Sequence, residues 1–237
     1  MTNHQSNIIF YTVISLIVTA IIIHVTNPDF FGDIGKSRDE LLLKEAVAEG
    51  NHNKALKYYQ KLIDARKNNG NEITAETAAM YEDMAQLHSA IGNTTEKRNH
   101  YLYSLKIKEQ LPKNDVFAFA NTYYQLGVMA EEQQQYDQAL RYFEQALSWR
   151  IGDTTEAEEQ DDGFTTSMHK SRLKHMRLNN EGTIATFKKL AAMHIIKNEN
   201  AIAKSYYERA LAASKTTFGE DDNKTLEIVN LLNQLEL

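Results

Sequence analysis

One spacing constrains this chain more than any other feature. Residues 136–149 read YDQALRYFEQALSW, which sets Ala139 and Ala146 around the ring of Phe143 on one face of a helix. The same slots recur as Ala55, Tyr59 and Leu62, and again as Ala203, Tyr207 and Ala210. A weaker copy holds Lys97, Tyr101 and Ser104. Upstream of each copy stands a small or apolar pair: Leu42-Leu43, Met84-Ala85, Leu126-Gly127 and Leu190-Ala191. A ring precedes the last three pairs (Tyr81, Tyr123, Phe187), and Asp39 fills that place in the first. Leu43, Ala85 and Gly127 step by 42 residues and Ala191 follows after 64; Ala55, Lys97, Ala139 and Ala203 keep the same steps. Two independent slots holding one period mark an internal repeat.

The physics of the pattern is helix packing. Small residues let two helices approach to about 8–10 Å, and the rings fill the space that remains. One hairpin cannot bury this face alone, so successive hairpins must stack. Only 2 prolines and 10 glycines occur, so long helices are easy and a loop-rich β fold is not expected. The spacing predicts helices near 37–50, 52–67, 72–91, 94–110, 114–133, 136–150, 178–197, 199–215 and 222–236. Gly50 and Gly92 suit the ends of first helices. In the last helix, Val229, Leu232 and Leu235 are expected to cover the end of the stack, with Glu227, Asn230, Asn233 and Glu236 in water.

This pattern resembles the tetratricopeptide repeat, whose signature is a ring, Leu-Gly or Leu-Ala, then an alanine, an aromatic and another alanine. Tyr123, Leu126, Gly127, Ala139, Phe143 and Ala146 match it, as do Phe187, Leu190, Ala191, Ala203, Tyr207 and Ala210. The 42-residue period, and FGEDDNKTLEIVNLL at 218–232, resemble the kinesin-light-chain-like variety. The usual proline closing the second helix is absent. The resemblance covers residues 37–237. It implies an all-α, right-handed superhelical solenoid of about four helical hairpins (37–70, 72–112, 114–153, 178–217) plus a capping helix at 221–237.

After a polar tail at 1–7, residues 8–26 (IIFYTVISLIVTAIIIHVT) run 19 residues without Asp, Glu, Lys or Arg. At about 1.5 Å per residue such a helix spans roughly 30 Å, a hydrocarbon core. MTNHQSN lacks the basic residues of a signal peptide and HVTNPDFFG lacks a small-x-small cleavage site, so one retained transmembrane helix is expected, joined by a linker at 27–36. Its orientation stays open. Lys36, Arg38 and Lys44 favour a cytoplasmic array, yet an N-terminal anchor commonly exports the domain attached to its C-terminal end.

The extra residues of the 64 step form an insertion at 154–177. An acidic run (Glu156, Glu158, Glu159, Asp161, Asp162) precedes a basic one (Lys170, Arg172, Lys174, His175, Arg177). Phe164, Met168, Arg172 and Lys174 are its candidates for contact with a partner; the plainer reading is a solvated loop.

A net charge of -6 argues against nucleic acid as a partner. The absence of cysteine removes disulfides, thiolate metal sites and cysteine nucleophiles. No phosphate-binding glycine loop and no short histidine ligand spacing occurs. An enzyme, a cofactor and a metal are therefore not expected. His88 and His194 share a repeat slot and read as packing residues.

In the resembled fold the first helices line a concave groove. The slots projected there are Glu40, Lys44, Glu82, Gln86, Tyr124, Val128, Glu131, Lys188, Ala192 and Ile195. Such a groove typically takes an extended peptide or a partner helix. Some relatives clamp a terminal carboxylate with Lys and Asn on successive first helices; Lys44 fits one slot, but Gln86, Val128 and Ala192 do not continue it. The expected role is a membrane-anchored adaptor that gathers a protein partner. The alternative is a permanent structural or assembly-factor subunit of a membrane complex.

Overall fold

The computed structural model describes residues 37–112, 116–152 and 176–235. The expected anchor at 8–26, its linker at 27–36 and the insertion candidates Phe164, Met168, Arg172 and Lys174 lie outside the described residues. Among the described residues every regular element is a helix: α1 (Arg38–Ala48), α2 (His52–Asn68), α3 (Ala75–Ala90), α4 (Thr94–Lys108), α5 (Val116–Glu132), α6 (Tyr136–Ile151), α7 (Glu181–Ile196), α8 (Asn200–Phe218) and α9 (Asn223–Leu235). Their ends fall within about three residues of those expected from the periodicity.

The starts follow ordinary capping chemistry. Ser37 and Glu40 form a capping box at α1. Thr74 Oγ1 accepts from the Thr77 amide (3.1 Å), Asn93 Oδ1 from Glu96 (3.2 Å) and Asn180 Oδ1 from Thr183 (3.0 Å). The turns inside the four hairpins share one geometry. Gly50, Gly92, Gln134 and Asn198 all lie in the left-handed region, at φ 65°, 75°, 58° and 61°. Each following amide returns to the carbonyl five residues back, as in Asn93→His88 (2.9 Å) and Gln135→Ala130 (2.8 Å). This double closure satisfies the last carbonyls of the first helix.

The chain divides into two compact units, with the boundary between Ala65 and Arg66, inside α2. In the first, α1 and most of α2 form a hairpin with Ala46 and Ala55 fully buried. Lys61 pairs with Asp39 (3.4 Å) and Lys54 with Glu45 (3.5 Å) across its two helices. In the second, α3/α4, α5/α6 and α7/α8 are hairpins; α4 packs on α5, α6 on α7 and α8 on α9. Ala139, Phe143 and Ala146 are fully buried. The Phe143 ring lies so close over Gly127 that a Cβ there would overlap it. Phe143 joins Phe187, Leu190, Ala191, Ala203 and Tyr207 in one core cluster. Phe119 stacks on Trp149 (4.2 Å between centroids) beside a second cluster of Ala85, Tyr101, Leu105, Leu126 and Met129. Burial, and after it the charges of Glu82 and Asp83, push the Tyr101 hydroxyl up to about 12.

The buried stripe of α9 is wider than the sequence expectation. Leu232 and Leu235 pack on the core as expected, but the stripe starts from Thr225 and Ile228, both fully buried, and includes Leu231, while Val229 is only half-buried. Glu227, Asn230 and Asn233 are exposed, and Glu227 pairs with Lys188 at the surface (2.7 Å). The apolar residues at 228, 229, 231 and 232 leave the edge of the stripe ambiguous, and the contact with α8 places Ile228 inside it.

The second helix pair carries two stacked imidazoles, His88 and His100, with centroids 5.0 Å apart. Tyr81 stacks on His100 (5.8 Å) and Tyr103 tilts against it (6.4 Å). Neither Nδ1 has a hydrogen-bond partner. Burial, and next the neighbouring His88, lower the His100 pKa, while Glu96 opposes the shift. The folded pKa thus lies below the unfolded 6.5, and between the two values the unfolded chain binds more protons. Folding stability should fall as pH drops from neutrality through about 6.5, and His100→Phe should flatten that slope in urea titrations at pH 7.5 and 5.5.

Gln134 holds a left-handed position that glycine occupies in the first two turns. Gln134→Gly should raise stability by about 0.5–1 kcal/mol, read as an upward shift of the thermal midpoint, because it relieves the Cβ clash of that conformation.

Candidate functional site

The first helices of the second unit carry its grooved face. Between α5, α7, α8 and α9 lies a cavity of about 440 Å³. Ile184, Ala185, Ala192, Tyr207, Phe218 and Ile228 supply apolar lining, and Tyr124 closes one side. Lysines paired with carboxylates of neighbouring helices surround it: Lys188–Glu227 (2.7 Å), Lys189–Glu131 (2.6 Å) and Lys224–Glu181 (2.6 Å). The small side chains at Ala185 and Ala192 leave this space open where bulkier residues would fill it. Burial raises the Tyr124 pKa, and Lys189 is the foremost opposing influence, so the phenol stays protonated and able to donate.

A second cavity of about 390 Å³ lies between α3, α4 and α5, lined by Ala75, Ala79, Leu111, Pro112 and Phe119. At its edge sits a buried ion pair. Lys108, with 7% of its side chain exposed, donates to Glu82 Oε1 (2.5 Å), to the Ala118 carbonyl (2.9 Å) and to Thr122 Oγ1 (2.8 Å). Glu82 also accepts from Ser104 Oγ (3.1 Å), and the Thr122 hydroxyl lies against it. Every proton of the ammonium is used, which is what makes its burial tolerable.

The projected groove residues thus divide. Tyr124 and Lys188 meet at the first cavity, together with Ala192. Glu131 reaches Lys189, and Val128 packs against the core cluster. Ile195 is exposed at the end of α7, and Gln86 is exposed on α3. Glu82 is committed to Lys108. Glu40 and Lys44 belong to the first unit, on α1. Sequence reasoning misses Lys108, Asn121, Arg150, Lys189 and Lys224. The period could have found two of them, since Lys108 and Arg150 stand 42 apart. Among the described residues no cluster of three or more His, Cys, Asp or Glu could hold a metal, and no helix is long and apolar enough to cross a membrane.

Removing one partner of the Glu82–Lys108 pair should cost much more than removing both. Lys108→Met strands Glu82, which keeps 24% of its side chain in water; the expected loss is about 2–4 kcal/mol. Adding Glu82→Met should recover most of it, as read from a double-mutant cycle in urea.

Comparison with known proteins agrees with this architecture. Tetratricopeptide-repeat family models match residues 120–158 and 183–223. Among solved structures, the chain is similar to BtubC (BKLC) from P. vanneervenii, with 16% identity and a TM-score of 0.55 over 84% of this chain and 66% of that one. It is also similar to a kinesin-light-chain protein with nearly identical TPR-like repeats from Podosopora anserina, with 13% identity and a TM-score of 0.57 over 83% and 82% of the two chains. The chain spans just under two thirds of the BtubC chain. No curated protein matches it significantly in sequence. At these identities the structural likeness shows the fold alone, an all-helical array of repeated hairpins, and the family models place tetratricopeptide repeats at 120–158 and 183–223.

Proposed function

We propose that this chain is a membrane-tethered adaptor, which holds an extended segment or helix of a protein partner in the groove of its second unit. Tetratricopeptide repeats generally mediate protein–protein contact, and the observation that carries the reading is the 440 Å³ cavity at Ile184, Ala192 and Ile228, with an apolar interior and a charged rim. That combination suits an apolar anchor residue flanked by backbone and polar groups. Tethering is supported by the uncharged run at 8–26 and the linker of about ten residues after it, which would keep the array close to the bilayer. The lysines around the cavity are each paired with a carboxylate of a neighbouring helix, which leaves its apolar floor as the main feature offered to a ligand.

A photo-crosslinking residue placed at Ala192 in the full chain should capture a protein partner, whereas one at the exposed Glu208 of α8 should not. Ala185→Trp, which fills the cavity, should reduce that capture at least tenfold with little change in thermal midpoint. Equal capture from both positions, or capture indifferent to Ala185→Trp, would sink the groove reading. Flotation of the full chain with liposomes, lost on deletion of 8–26, tests the tether separately.

A further inference from the structure

The repeats allow the molecule to be compared with itself. Lys108 and Arg150 occupy one slot, 42 residues apart, each in the last turn of a second helix. Their surroundings correspond. Thr122 donates to the Ala118 carbonyl (3.0 Å) as Thr186 does to Gly182 (2.8 Å), and both members of each pair are 64 apart. The counter-ion does not correspond. Glu82 neutralises Lys108, but the residue 42 positions after Glu82 is Tyr124.

Among the described residues, Arg150 is therefore a buried cation without a carboxylate. It is 4% exposed. Its Nη2 donates to Asn121 Oδ1 (2.7 Å), and its Nε has no partner. The guanidinium lies against Gly182, where any Cβ would overlap it, in the first turn of α7. That end of a helix repels a cation and attracts an anion. Desolvation is the principal cause of the lowered Arg150 pKa. Tyr124 feels both Arg150 and Lys189, and its ring lines the 440 Å³ cavity.

We propose that the missing carboxylate comes from the partner. An Asp or Glu side chain of a segment lying in the groove is received beside Tyr124 and Asn121 and neutralises Arg150, while its apolar neighbours fill the cavity toward Ile184 and Ile228. A single carboxylate fits better than a phosphate. The lysines along the rim already have Glu131, Glu227 and Glu181, and a second negative charge on the ligand would face those acids. The proposal rests on the groove being a protein-binding site.

The test uses the full chain in nanodiscs and fluorescent dodecapeptides, N-acetylated and C-amidated, with one Glu scanned along a Leu/Ala/Gln background and a matched Gln set. The best Glu peptide should bind at least tenfold tighter than its Gln mate. Tyr124→Glu, which restores the carboxylate found at the equivalent slot of the preceding repeat, should abolish that preference without lowering the thermal midpoint. Arg150→Met should also abolish it, and Tyr124→Glu decides the matter if that variant does not fold. Equal binding of Glu and Gln peptides overturns the inference. So does a preference that emerges only after Glu156, Glu158, Glu159, Asp161 and Asp162 are replaced by amides, since the chain's own acidic run would then hold the site. If no peptide binds while crosslinking at Ala192 still captures a partner, the inference fails and the groove reading stands; if both fail, both fall.

Discussion

The second unit depends on the close approach of α5 and α6 through Gly127, Ala139 and Phe143. The ring sits where a Cβ on residue 127 would be, and both alanines flanking Phe143 are fully buried. This contact makes the α5/α6 hairpin thin, and a thin hairpin leaves its flat sides apolar. Phe143 then shares one cluster with Phe187, Leu190 and Tyr207 of the next hairpin. Core formation and repeat stacking are one event here, as expected of an array whose units contact only their neighbours. The same logic places the functional face. With the hairpin sides committed to stacking, a ligand of the kind proposed would meet the surface where α5, α7, α8 and α9 surround the cavity.

A second constraint acts where one repeat joins the next. The last turn of the later second helices meets the start of the following segment: Lys108 at Thr122, Arg150 against Gly182, whose carbonyl Thr186 holds, and Ser214 at Thr225 (2.8 Å). The threonine also donates to a carbonyl of its own segment, at Ala118, Gly182 or Gly219. The joint is a fixed frame with a variable occupant. A lysine needs a carboxylate and has one in Glu82. A serine needs only a hydroxyl partner. An arginine needs more room and more charge; Gly182 provides the room, and among the described residues nothing provides the charge.

Much of this is legible in the sequence, for a physical reason. Small and large residues alternating at a fixed period leave few ways to pack, so helix spans and the buried slots at Ala85, Gly127, Ala139, Phe143 and Ala203 can be read directly. Two turns escape such a reading because only glycine announces a left-handed residue, whereas Gln134 and Asn198 adopt it under the pull of the same hydrogen bonds. In α9 the share of Ile228 and Leu231 in the buried stripe escapes it, because adjacent apolar residues make the stripe's edge ambiguous. At the cavity, the period brings Tyr124, Lys188 and Ala192 together but does not say what the projected residues hold. Glu82 is paired 26 residues away and Glu131 58 residues away, and no local pattern encodes such partners.

That distinction separates scaffold from site. A residue that serves stacking is specified by its own repeat, so it recurs with the period: alanine at 55, 139 and 203. A residue that serves a ligand answers to something outside the array, and so it departs from the period where its neighbours keep it. Tyr124 is such a departure. Thr122 and Thr186, Ala118 and Gly182, and Lys108 and Arg150 keep the frame that holds a carboxylate at Glu82, and Tyr124 stands in that carboxylate's place beside Arg150. An unpaired buried cation costs several kcal/mol in isolation, so a joint that keeps the cation and discards its partner is poorly suited to pure support. It is well suited to a surface completed by another molecule.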